Sequence, residues 1–202
     1  FLLCIVIATL SSYKILSVEN LNIGIIFSWF ISFVEILICC GILILISQKE
    51  NPVINSRQII LVIGFLLLAQ VIKINFEAIS PLSIIVPPAL IISQGMGTLT
   101  ALSWVSIACI NWPYSIDGVN EYLLLITFIS SCIVSILGGK MRSRAQLLQI
   151  SILVPLGAFF SQLIFMGANK ESIYLSNSTH IILSPGDIFS DSIFLAILML
   201  IS

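Results

Sequence analysis

The stretch from Ile23 to Ser47, IGIIFSWFISFVEILICCGILILIS, contains one charged side chain, Glu35, in 25 residues. A helix of about 20 apolar residues is long enough to cross the roughly 30 Å hydrocarbon core of a bilayer. This stretch can therefore cross once as a helix. It stops at Gln48-Lys49-Glu50-Asn51-Pro52, where charge and a proline cannot continue a helix in lipid.

The same pattern recurs on both sides. Downstream, Ile59 to Ile79, Leu82 to Ile110, Tyr122 to Gly139 and Leu147 to Gly167 are apolar runs separated by polar breaks. A partial span, Phe1 to Ser17, precedes them, and another starts near Ile188. The fold class predicted is all-α, a polytopic transmembrane helix bundle of about five full spans plus two partial ones at the ends. It forms a single membrane-embedded domain over residues 1–202 and is expected to be a fragment of a longer chain.

Composition points the same way. Hydrophobic residues make up 59% and charged residues 8% of the chain, with a mean hydropathy of +1.19. Soluble domains carry about 25% charged residues. The lipid bilayer is thus the first partner implied, and other membrane subunits the second, because the loops are short and no soluble domain is present. The net charge of −1 and the scattered basic residues exclude nucleic acid as a partner. Five cysteines, all inside apolar runs and none in a CxxC, support no metal or redox centre, and nothing in the chain calls for a cofactor.

Within Leu82 to Ile110, Pro87-Pro88 predicts a kink or an irregular first turn. Three of the eight basic residues lie in Lys140-Met141-Arg142-Ser143-Arg144. The positive-inside rule puts that loop on the cytoplasmic, matrix or stromal side. Alternation of five full spans then places the Trp112 loop and the Asn169 to Asp187 loop opposite, and the Glu19 and Lys73 loops on the basic side. Lys49 and Arg57 would face outward, against the rule. Asn177-Ser178-Thr179 is a glycosylation sequon on the non-cytoplasmic side in this arrangement.

The candidate functional residues are polar groups at membrane depth, where an ionisable side chain is costly and faces a partner or a hydrated cavity. Glu35 shares a helical stripe with Ser28, Ser32 and Cys39. Gln70, Lys73 and Glu77 make a second stripe, and Gln94 and Gln162 add one polar group each. A Glu35 contact with Lys73 or Gln70 is expected. Together these six residues are candidates for a proton or solute path; the simpler reading makes them interhelical hydrogen bonds worth about 0.6 kcal/mol each.

Small residues four apart, Ser93, Gly97 and Ala101, then Ser131, Ser135 and Gly139, fit close helix packing. A functional reading would make Gly95-Met96-Gly97 an unwound substrate site. Pro155 is expected to be a static kink, and the one histidine, His180, a solvated loop residue. No serine-hydrolase elbow, HExxH or phosphate loop occurs, so no catalytic residue is assigned. The functional expectation is a membrane-embedded subunit or domain of a larger complex, in proton or ion translocation. Its alternatives are a small-solute transporter and the membrane module of a lipid- or glycan-processing enzyme.

Overall fold

A computed structural model describes residues 5–6, 23–50, 56–75, 80–112, 121–140, 144–168 and 185–201. Among the described residues from 23 onward the regular structure is seven helices, with no strand. In chain order they are α1 (Ile23–Glu50), α2 (Ser56–Asn75), α3 (Pro81–Gly95), α4 (Thr98–Ile110), α5 (Glu121–Gly138), α6 (Arg144–Ala168) and α7 (Pro185–Ile201).

The apolar run from Leu82 to Ile110, expected as one span, is two helices separated at Met96 and Gly97. Gly97 has φ 115° and ψ 166°, a backbone geometry that a residue with a Cβ rarely adopts. The helical ladder ends where Met96 N–H bonds Ile92 O at 2.8 Å and restarts where Ala101 N–H bonds Gly97 O at 3.2 Å. At Pro87 and Pro88, where irregularity was expected, α3 continues unbroken. Ser80 starts it, its Oγ accepting from Leu82 N–H at 3.3 Å, with Pro81 in the first turn where its missing N–H costs nothing.

The chain reverses at this break. The C-terminal turns of α3 and α5 meet, since a Cβ added to Gly138 would collide with Ser93 Oγ and Leu90. These two helices pack extensively against each other and so run parallel. The start of α4 meets the same end of α5, because a Cβ on Gly139 would collide with the Thr98 methyl. It too packs on α5, and therefore runs antiparallel to it. Thus α3 and α4 form a hairpin turned at Met96-Gly97.

The remaining directions follow from cross-helix bonds. Trp104 Nε1 donates to Val62 O at 3.1 Å and Gln70 Nε2 to Asn111 O at 2.9 Å, so α2 runs with α4. Ser151 Oγ donates to Met199 O at 3.2 Å and the Phe159 and Phe189 rings lie 5.9 Å apart, so α6 and α7 are antiparallel. All seven helices alternate in direction. We call the end with the Met96-Gly97 turn the near end; α1, α3, α5 and α7 finish there.

The extra reversal corrects the expected placement of the loops. Lys49 and Arg57, expected to face away from the basic loop, lie at the near end with Lys140 and Arg144. Lys73, expected beside them, is in the last turn of α2 at the far end; the Glu19 loop lies outside the described residues.

Helix α3 is central: Pro81 to Leu90 are all buried. One face, with Ile85, Ala89 and Ile92, packs with Cys40, Leu43, Leu66 and Trp104. The other, with Leu82, Val86 and Leu90, packs with Val134, Val154, Leu195 and Met199. The sides of the bundle are apolar and exposed, among them Ile38, Leu45, Ile60, Leu153, Phe160 and Ile164, a surface that water does not tolerate over such an area. Taken singly, Ala145–Ile164, of mean hydropathy 1.9, is the one described stretch long and apolar enough to cross a membrane; Ser56–Ile72, Pro81–Gly95, Thr98–Ile110, Leu123–Gly138 and Ile188–Ile201 are apolar but shorter.

Candidate functional site at the helix break

The ends of α1, α3 and α5 and the start of α4 meet at the near end. The first N–H groups of α4 lack intrahelical partners, and Gly97 at its cap has no side chain to offer one. Glu50, the last residue of α1, supplies the cap from another helix. Its Oε1 accepts from Leu99 N–H at 3.0 Å, and its Oε2 accepts from Thr100 N–H at 2.6 Å and from Thr100 Oγ1 at 2.7 Å.

A carboxylate here also meets the positive end of the α4 dipole, and the first turn of α4 holds no acidic residue of its own. The geometry demands glycine at 97 twice over: φ is positive, and a Cβ would fall on the Glu50 carboxyl group. Chemically this is a clip joining α1 to α4 at the point where α3 turns back. Among the described residues no three His, Cys, Asp or Glu side chains come together. Glu50 was missed because its neighbours Lys49, Asn51 and Pro52 read as an ordinary loop. A cap supplied from 49 residues away has no local signature.

At the far end, Gln70 is buried at 2% exposure and spends its Nε2 on Asn111 O. Its Oε1 and the Asn111 Nδ2 are buried without a hydrogen-bond partner. Trp112 is buried beside them in sequence.

The path candidates are dispersed rather than gathered. Glu35 is exposed on the outer face of α1, which corrects the expectation of an interior carboxylate, and the Gln70 amide turns to Asn111. Gln94 is exposed at the end of α3, and Gln162 is buried in α6. The Lys73 side chain, Glu77 and the sequon at Asn177 lie outside the described residues. Ser93, Ala101, Ser131 and Ser135 are buried; Gly97 is half-buried against Glu50, and Gly139 is exposed with the Thr98 methyl beside it. Ser93 and Ala101, however, lie on opposite arms of the hairpin, so their four-residue spacing is not one helix face. The α6 helix continues through Pro155.

No curated protein and no solved structure matches the chain. A family model described as 7TM receptor with intracellular HD hydrolase matches residues 26–202, which takes in nearly all of the seven alternating helices. The chain is therefore an integral membrane domain and belongs to the family of 7TM receptors with an intracellular HD hydrolase.

Proposed function

We propose that this chain is the sensing and transmitting domain of a receptor, with its near end in the cytoplasm and its seven helices crossing the membrane. The observation that carries this is the division of charge. Lys49, Arg57, Lys140 and Arg144 sit at near-end helix termini, with Arg142 between the last two in sequence, so that end takes five of the eight basic residues. Its carboxylate, Glu50, is occupied as the α4 cap. The connections at the other end contain Glu77, Asp117, Glu121, Glu171 and Asp187 in sequence.

This is the bias that holds basic loops inside a cell. Because α7 finishes at the near end, a domain attached there would be intracellular, where the family description puts its hydrolase. The Glu50 clip is then the natural relay: it is the contact that ties α1 to the turn of the central hairpin on the side facing the hydrolase. Translocation of a proton or solute draws no support from Glu35, Gln70, Gln94 and Gln162, which stand apart.

The test uses the full-length receptor in vesicles. If the clip is the relay, Glu50→Ala changes basal hydrolase activity several-fold while Leu153→Ala, on the outer side of α6, does not. Equal activity of Glu50→Ala and wild type in a properly inserted protein rejects the relay.

A further inference from the structure

The far end of α4 is tied to α2 by a polar joint that is only half satisfied. Asn111 caps α4, its N–H bonding Ile107 O at 2.9 Å. The helix stops there, so the Asn111 carbonyl has no partner in its own helix. Gln70, five residues from the end of α2, supplies one: its Nε2 donates to Asn111 O at 2.9 Å. That bond fixes the Gln70 side chain, which is 2% exposed. Among the described residues nothing donates to the other half of the same amide, Oε1, and nothing accepts from Asn111 Nδ2. Both atoms are shut off from bulk solvent.

We propose that one water molecule is built into this joint, donating to Gln70 Oε1 and accepting from Asn111 Nδ2. The two atoms belong to the two residues that the Nε2–carbonyl bond already holds together, so they stand at one place in the fold. One is an acceptor and the other a donor, and a molecule that satisfies both must itself donate and accept. A cation offers nothing to an amide N–H, an anion nothing to an amide oxygen, and hydrocarbon nothing to either. Leaving a buried amide group unsatisfied is costly, and two polar partners are what a buried water requires. The water gives α2 and α4 a second link beside the direct one, made through the side chain of Asn111 rather than its backbone.

Two measurements on the full chain in lipid bilayers test this. In solid-state NMR, magnetisation started on water is expected to reach the side-chain amide protons of Asn111 and not the backbone N–H of Ile107, which is buried one turn earlier in α4. Transfer to neither means a dry joint, and transfer to both alike means water entering without a fixed place; either result overturns the site. In a double-mutant cycle read by thermal unfolding, Gln70→Met and Asn111→Ala remove the two side chains singly and together. Asn111→Ala keeps the carbonyl that Gln70 bonds, so without the water the two losses add. With it, the midpoint of the double variant should fall by about 2–4 °C less than the sum of the single losses. Additive losses overturn the bridge. The NMR measurement needs no substitution, so a variant that fails to fold leaves the test in place.

Discussion

The Glu50 carboxyl group occupies the space that a Cβ on Gly97 would need. One residue ends α1 and the other precedes α4, so a single contact ties the backbone geometry of the hairpin turn to a helix 47 residues earlier in the sequence.

Gly97→Ala should therefore destabilise the domain by about 2–4 kcal/mol, from positive-φ strain plus displacement of Glu50. Gly95→Ala, two residues away in open space at the end of α3, should be neutral or slightly stabilising. Thermal unfolding of both variants in detergent checks the contrast; equal midpoints would refute this account of Gly97.

Removing the cap itself gives a second expectation. Glu50→Ala strands the Leu99 and Thr100 N–H groups and should cost about 1–3 kcal/mol, whereas Glu50→Gln keeps one acceptor and should cost less. In a double-mutant cycle with Thr100→Val, the two losses should fall short of additive by about 1 kcal/mol, because both remove the same Oγ1 bond.

The parallel contact of α3 with α5 predicts a rescue. Gly138→Ala should destabilise by about 1–3 kcal/mol because the new methyl meets Ser93 Oγ. Ser93→Gly in the same chain should recover much of that loss by removing the obstructing hydroxymethyl. No recovery would mean that the α3–α5 approach is looser than described.

Alternation of all seven helices fixes accessibility. Cysteines at Lys49 and Lys140 should label from one side of the membrane, and cysteines at Asp187 and Ser176 from the other. Labelling of Lys49 opposite to Lys140 would restore a single span from Leu82 to Ile110 and remove the hairpin.

Much of this was legible in the sequence. Apolar runs ended by charge and proline locate α1, α2, α5 and α6 to within a few residues, since lipid leaves the backbone no other structure. The hairpin escaped because Gln94-Gly95-Met96-Gly97-Thr98 contains no charge or proline, and a turn capped by a distant Glu50 needs none locally. Lys49 and Arg57 on the wrong side were the symptom of a missed reversal. Glu35 is expected inside because a carboxyl group at mid-depth is costly, but helical spacing alone does not say which face of α1 meets the bundle, and the structure turns Glu35 outward.

The burial of α3 has a consequence for biosynthesis. Leu82, Val86 and Leu90 pack against residues of α5, α6 and α7, among them Val134, Val154 and Leu195, all of which leave the ribosome after α3. The first helices of the hairpin must wait in the membrane with an unfilled flank until the final one arrives. A chain stalled or truncated ahead of α7 would present that flank to quality-control proteases, so completion of the last helix acts as the proofreading step for the whole domain.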